Sequence, residues 1–339
     1  MIKVGLCGFG MMAKGHAQMI QLHEGVQLVA IADPVEANRK KAAEQYGVTV
    51  YSSGEELIDA GGLDVVFVVV PTYLHAPLAI RALNAGCHVF CEKPMALNTD
   101  LCQQMIDAAN KSGKNLMIGQ VLRFWPEYVY LKNAIDSGKY GKLQSLTMQR
   151  IGDKSTGWEN WYLDERRGGS QLFDRHVHDA DAIQWMLGMP KEVYCYGVGR
   201  DPYTDGGIFH SVTEYCYDGG LLVSAEGSSD NNANYPFTAT YHAVFENGVI
   251  SFNSTRTPTL TVHEGGEAIV PDLSSAIEDL KSGMNITNSA PYFAEESYFF
   301  DCIKKGVKPA TVTPESAMNS IRLVRTEGES VKQHKRIAL

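Results

Sequence analysis

Ile2-Lys3-Val4-Gly5-Leu6-Cys7-Gly8-Phe9-Gly10-Met11-Met12-Ala13 opens the chain, and its reading decides the fold of the first third. Ile2–Cys7 is short and apolar and reads as a buried strand; the residues from there to Leu22 read as a helix. Between them stand two glycines and an alanine spaced G-x-G-x-x-A. Gly8 permits a tight strand-to-helix turn, Gly10 lets the backbone approach a pyrophosphate, and small Ala13 lets helix and strand pack closely. The free N–H groups of the helix start then face the phosphates. Such glycine patterns are often mere turns. Here a second strand, Val26–Ala32, ends at Asp33, 20 residues beyond Ala13, and that context marks a dinucleotide site. Asp33 can accept from both ribose hydroxyls and would repel a 2′-phosphate, so NAD is expected in preference to NADP. Arg39 and Lys40 follow and read as a solvated helix face, too far along to neutralise such a phosphate.

The same alternation continues outward. A charged helix spans Glu36 to Tyr46, Ser53-Gly54-Glu55-Glu56 reads as a capping box, and Val65–Val70 is a continuous apolar run of the kind buried in a parallel sheet. A helix from about Pro77 to Ala85 leads to Cys87-His88-Val89-Phe90-Cys91-Glu92-Lys93-Pro94-Met95. Pro94 cannot donate to a sheet ladder, so that strand stops at Lys93. Lys93 then lies at a carboxyl strand end, which in an open α/β sheet faces the ligand crevice. Taken alone, a Lys beside Glu92 is an ordinary ion pair. Another helix, Thr99–Lys111, and a strand, Asn115–Gly119, complete a doubly wound parallel sheet.

After Gly119 the rhythm changes, and we place a domain boundary there: 1–120 binds the dinucleotide, and 121–339 is an α+β domain for substrate binding and oligomerisation. The segment Gln120–Pro126 introduces a helix that runs to about Ser137. The strand pairs Val212–Tyr217 with Leu221–Glu226 and Thr238–Phe245 with Val249–Phe252 flank Asp218-Gly219 and Asn247-Gly248, strong hairpin signals. A large, mostly antiparallel sheet is expected, with helices on one face and the other open for a homodimer or homotetramer. The last helices are about Pro291–Lys305 and Pro314–Lys332.

Composition bounds the rest. With 339 residues, 44% of them hydrophobic and 20% charged, this is an ordinary globular chain of two-domain size. A net charge of −9 argues against a nucleic-acid footprint. The chain enters a strand at once, so no secretory leader is expected, and Val65–Val70 is too short to span a bilayer. Seven scattered cysteines form no Cys-x-x-Cys pair, so neither a disulfide framework nor a zinc knuckle is indicated, and a reducing cytoplasm fits.

The second half carries one dense cluster, Gly168-Gly169-Ser170-Gln171-Leu172-Phe173-Asp174-Arg175-His176-Val177-His178-Asp179-Ala180-Asp181. If a helix begins near Asp174, residues 174, 178 and 181 share a face. A carboxylate beside an imidazole suits proton transfer. The bland alternative makes Asp174 an N-cap and His178 a core histidine. A metal bound by Asp174, His176, His178 and Asp181 is disfavoured, because His176 and His178 point to opposite sides of a helix; no metal is expected.

Taken together, Gly8-x-Gly10-x-x-Ala13, Asp33, Val70-Pro71 with His75, Glu92-Lys93-Pro94, Arg123, and Gly168-Gly169 leading to Asp174-x-x-x-His178-x-x-Asp181 resemble the glucose–fructose oxidoreductase / inositol dehydrogenase (Gfo/Idh/MocA) family over almost the whole chain. The resemblance implies a Rossmann domain, a substrate domain with an open sheet, and pyridine-nucleotide-dependent oxidation or reduction of a sugar, cyclitol or derivative. It implies that Lys93, Asp174 and His178 form the catalytic group. His176 is a departure, since many members carry Gly there, and its ring is expected to narrow the pocket or bond the substrate.

On this reading Gly8, Phe9, Gly10, Met11, Met12, Ala13 and Asp33 hold the nucleotide, and Pro71, Thr72, His75, Glu92, Lys93 and Pro94 line the nicotinamide end. His178 removes a hydroxyl proton, Lys93 stabilises the charge growing on the same oxygen, and Asp174 holds the imidazole or a neighbouring hydroxyl; Lys93 and His178 can exchange roles. Arg123, Trp125, Trp161 and His176 are candidate contacts to a small polyhydroxylated substrate. Two alternatives stay open: an NAD-dependent glycoside-cleaving enzyme using transient oxidation, and a non-catalytic NAD-binding regulator.

Overall fold

A computed structural model describes residues 1–153, 157–201, 207–231, 234–273 and 289–339. Its first elements are β1 (Ile2–Cys7), α1 (Met11–Ile20), β2 (Val26–Ala32), α2 (Glu36–Tyr46), β3 (Thr49–Tyr51), α3 (Gly54–Asp59), β4 (Val65–Val68), α4 (His75–Asn84), β5 (His88–Glu92), α5 (Thr99–Ser112) and β6 (Leu116–Gly119). There follow α6 (Pro126–Ser137), β7 (Leu143–Asp153), α7 (Glu165–Gly168), α8 (Val177–Leu187), β8 (Glu192–Asp201), β9 (Gly207–Cys216), β10 (Leu222–Asn231) and β11 (Thr238–Phe245). The chain closes with β12 (Gly248–Asn253), β13 (Leu260–Glu264), β14 (Glu267–Ile269), α9 (Ala290–Lys305), α10 (Pro314–Gln333) and β15 (Ile337–Ala338). No helix among the described residues is long and apolar enough to cross a membrane.

Two compact units result: Met1–Phe124 with Ala276–Met318, and Trp125–Ser275 with Asn319–Leu339. The sequence reading drew a single cut after residue 120. The later return of α9 to the first unit is a matter of long-range packing: Phe300 stacks on Phe67 with ring centroids 5.8 Å apart, and Asn115 donates to the Val307 carbonyl at 2.8 Å.

The first unit holds a six-stranded parallel sheet in the order β3-β2-β1-β4-β5-β6. β4 is buried along its whole length, as its unbroken apolar run requires. The capping box forms with a shift of one residue. The Ser53 hydroxyl accepts the Glu56 N–H, whereas the Glu56 carboxylate reaches back to the N–H and hydroxyl of Ser52.

The second unit holds a nine-stranded sheet in the order β14-β13-β12-β11-β7-β10-β9-β8-β15, in which only β7 and β10 run parallel. β9 and β10 join through Asp218–Gly220, with Gly219 at φ 74°, as the Asp-Gly signal indicated. The Asn247-Gly248 turn forms differently, since Gly248 already belongs to β12. A Cβ there would lie 3.1 Å from the His263 carbonyl oxygen, so this glycine provides clearance.

Candidate active site

In the first unit, β1 runs straight into the turn Gly8-Phe9-Gly10. Gly8 has φ 96°, and a Cβ on it would lie 2.1 Å from the Val69 carbonyl oxygen, so no other residue fits. A Cβ on Gly10 would meet nothing within 4 Å. That open space adjoins the start of α1, which has no side-chain cap and no acid in its first turn. Room beside uncapped N–H groups is what a phosphate needs. Ala13 is buried and Met11 exposed, with Met12 between. The Phe9 ring is buried edge-on to Tyr46 at 6.0 Å, which leaves Phe9 only its main chain to offer a ligand.

Asp33 closes this turn. One carboxylate oxygen accepts the Phe9 N–H at 2.8 Å; the other accepts the Val35 N–H at 2.9 Å and the Asn38 amide at 3.1 Å. The side chain expected at a ribose therefore also fastens the end of β2 to the glycine loop. Arg39 departs from its expected place: its guanidinium donates to the Asp33 and Pro34 carbonyls, both at 2.8 Å, folding back over the start of α2. Lys40 does lie on a solvated face, paired with Glu36.

Pro71 precedes a short turn, Thr72–Leu74, that feeds α4. Thr72 is buried, and so is the His75 ring, with Nδ1 2.7 Å from the Pro94 carbonyl and Nε2 2.8 Å from that of Val70. Both partners only accept, so the imidazolium alone could serve both. Burial nevertheless holds this pKa below its usual value, against the pull of the Pro94 and Val70 carbonyls. At neutral pH the ring thus donates to one carbonyl and merely touches the other. His75 braces the ends of β4 and β5.

Lys93 directly follows β5 and is half-buried; its bond to Pro94 is cis. The Lys93 N–H donates to a Glu92 carboxylate oxygen at 3.1 Å. The other Glu92 oxygen accepts from His16 Nε2 at 2.9 Å. Gly119, its register partner on β6, makes room for this carboxylate, since a Cβ there would come within 3.2 Å of Oε1. Glu92, expected at the nicotinamide, is buried and serves the main chain of Lys93. Arg123 is likewise engaged within its own unit: its guanidinium donates to the Thr311 carbonyl at 2.9 Å and the Ser316 hydroxyl at 2.6 Å.

In the second unit the helix carrying Asp174 and His178 starts earlier than the sequence suggested. Residues 170 and 171 are already helical, a π turn spans Leu172–His176, and α8 continues from Val177. Asp174 is therefore no N-cap. Turns closed by i→i+5 bonds are frequent at functional sites. Asp174 and His178 are both half-buried, whereas Asp181 is buried, accepting from Ser320 at 2.6 Å and from Gln184 at 3.1 Å. Asp174 lines a small recess with Tyr162, Ser170, Gln171, Phe209 and Ser229. Gly168-Gly169 lets the preceding segment close on it, because a Cβ on Gly168 would lie 2.9 Å from the Trp161 carbonyl and one on Gly169 2.5 Å from the Phe173 ring. Trp161 stacks on Tyr162 at 3.7 Å. Trp125 precedes α6 and is half-buried.

His176, expected to face a ligand, is wholly buried. Its Nε2 lies 2.9 Å from a Glu327 carboxylate oxygen and 3.1 Å from the Tyr215 hydroxyl. Burial opposes its charge, but the Glu327 carboxylate wins and raises the pKa. Gly227 leaves space for the ring, since a Cβ there would lie 3.0 Å from His176 Nδ1. Sequence reasoning missed three further buried groups: His16, Glu296, and the Arg150–Asp179 pair at 2.9 Å. His16 had a signal, being three residues after Ala13 on the helix face that packs against the sheet. Glu296 and Glu327 had none, because their partners lie far away in sequence. No group of three or more metal-ligating side chains gathers among the described residues.

Residues 2–120 match the family model described as an oxidoreductase family with an NAD-binding Rossmann fold, and residues 128–251 match the C-terminal domain model of the same Gfo/Idh/MocA family. An inositol 2-dehydrogenase of Salmonella paratyphi B is 32% identical over 190 residues, 55% of this chain and 54% of that protein. A 2,7-anhydro-N-acetylneuraminate hydratase of Mediterraneibacter gnavus is 30% identical over 233 residues, 67% of this chain and 58% of that protein. The chain spans about half the length of the curated relatives it matches. Among solved structures, a levoglucosan dehydrogenase in complex with NADH and levoglucosan shares the fold with a TM-score of 0.85 at 21% identity, covering 99% of both chains. With both of its halves matched in order, the chain belongs to the Gfo/Idh/MocA oxidoreductase family.

Proposed function

We propose that the protein is an NAD-dependent oxidoreductase acting on a secondary alcohol of a sugar, cyclitol or sugar derivative. The observation that carries this reading is the glycine turn, where Gly8 is sterically obligatory and Gly10 borders open space at an uncapped helix start. The main chain of Gly8 to Ala13 would hold the pyrophosphate and Asp33 the adenosine ribose, with NAD preferred because the Asp33 carboxylate repels a 2′-phosphate. Pro71, Thr72 and Lys93–Pro94 would form the nicotinamide end, braced by His75 and Glu92. When bound, the nicotinamide accepts or returns the hydride.

The chain supplies the proton chemistry. His178 takes the hydroxyl proton of the alcohol, Lys93 donates a hydrogen bond to the same oxygen, and Asp174 orients the imidazole or bonds a neighbouring hydroxyl. Trp125 and Trp161 are assigned to the substrate's C–H faces. His176 and Arg123 drop from that group: the His176 ring is wholly buried with its Nε2 against Glu327, and the Arg123 guanidinium donates to Thr311 and Ser316. The test is NADH formation over a panel of sugars and inositols. Lys93→Met and His178→Ala should keep NADH binding and lose about 100-fold or more in turnover; near-normal turnover in either variant rejects the assignment.

A second reading, in which oxidation is transient and the nucleotide is recycled, is favoured by the match to a relative named a hydratase. Conversion of a substrate without net NADH formation distinguishes it. We also assign the open face of the nine-stranded sheet, where Tyr196, Val198 and Leu222 are 64%, 65% and 70% exposed, to a homodimer or homotetramer contact. The seven free thiols, six of them buried, suit a cytoplasmic setting.

A further inference from the structure

We propose that His16 is a positively charged positioning residue: gripped between Glu92 and Glu296, it fixes the carboxylate that holds the main chain of Lys93. The proposal rests on the assignment of Lys93 made above and goes beyond it. His16 lies on α1, wholly buried, with Nε2 2.9 Å from Glu92 Oε1 and Nδ1 2.7 Å from Glu296 Oε1. Both carboxylates are themselves buried and, when ionised, only accept. An ionised carboxylate on each nitrogen supplies the negative charge that holds both protons on this ring, which the two neutral carbonyls at His75 do not. Glu296, on α9, is held in turn by His23 Nε2 at 3.0 Å from its other oxygen.

The surroundings strengthen the pair. Phe67 on β4, Phe90 on β5 and Tyr292 on α9 pack around the His16 ring at 5.8, 5.5 and 6.3 Å and keep water out. The titratable groups in reach are Glu92, Glu296, Tyr292 and, one step further, His23 and Lys93; Glu295 is buried on the same helix α9. Burial alone would strip the proton from His16. The hydrogen bonds and fields of Glu296 and Glu92 override it and push the pKa up to about 10. Glu92, disfavoured as an anion by burial, is kept ionised by His16 and by the Lys93 ammonium. The order is therefore Glu296, His16, Glu92, then the N–H of Lys93, each fixed by the one before.

The charge can be read directly on the full chain labelled with ring-¹⁵N histidine. The His16 signals, assigned with His16→Gln, should show two protonated nitrogens up to about pH 9. A neutral ring at pH 8 overturns the proposal without touching the assignment of Lys93. In kinetics, His16→Gln removes the cation, so Glu92 regains a higher pKa and releases Lys93 when protonated. Turnover at pH 7 should fall on the order of 30-fold, with NADH affinity within about 3-fold of wild type. It should partly recover as pH rises and Glu92 ionises again, giving a limb that the wild-type profile lacks. A merely structural histidine would not create that limb, and a folded variant with unchanged kcat overturns the proposal. Glu296→Gln, which keeps the shape and leaves the His16–Glu92 contact, should show the same trend about 5-fold in size. Full turnover in Lys93→Met would instead remove the assignment on which the proposal rests while leaving the doubly protonated His16 signal in place.

Discussion

Gly8 and Gly10 stand two residues apart and answer to different constraints. Gly8 is fixed by the protein itself, through its φ of 96° and the Val69 carbonyl against which a Cβ would press. Gly8→Ala is predicted to cost roughly 3 kcal/mol of stability, measured by denaturant unfolding. Gly10 has an ordinary φ of −73° and free space around its Cβ position. Gly10→Ala should leave stability within about 0.5 kcal/mol of wild type yet weaken NADH about tenfold or more, as read by fluorescence titration. If Gly10→Ala binds NADH normally, the open space beside α1 is not the phosphate site. His176 carries the opposite lesson. A chemistry-bearing residue in a promising motif is instead buried with its Nε2 against Glu327 inside the unit, a partner far along the chain that no local pattern announces.

At the scale of elements, α1, β5 and α9 are joined by one buried imidazolium, and this has a pH consequence. The folded pKa of His16 is raised from 6.5 to about 10, so its stabilising contribution is complete below pH 6.5 and is lost as pH climbs through about 10. The melting temperature of the wild type should therefore decline between pH 7 and 10 more steeply than that of His16→Gln, by scanning calorimetry. Equal slopes would mean that the ring is not charged in the folded state. The elements themselves were readily legible: the β-α alternation up to Gly119, the strand end at Lys93-Pro94, and the Asp218-Gly219 hairpin all follow from local periodicity and turn chemistry. The π turn at Leu172–His176 was not, because nothing in the residue types distinguishes an i→i+5 from an i→i+4 closure. The return of α9 to the first unit was equally hidden, since it rests on the pairing of Glu296 with His16 and His23 across roughly 270–280 residues.

At the scale of the whole molecule, the family assignment rests on two halves matched in order. The open sheet face supplies a prediction of its own. Tyr196→Glu with Leu222→Glu puts two charges among exposed apolar side chains and should convert the assembly to monomers by light scattering, with circular dichroism unchanged. An assembly of unchanged mass would place the contact elsewhere.

The most direct test of the central claim is single-turnover reduction of bound NAD by the polyol identified in the panel, followed in Lys93→Met and in His178→Ala. The account predicts that both variants bind NADH as the wild type does and that both lose about 100-fold or more in the hydride-transfer rate. A variant of either residue that turns over at the wild-type rate contradicts it.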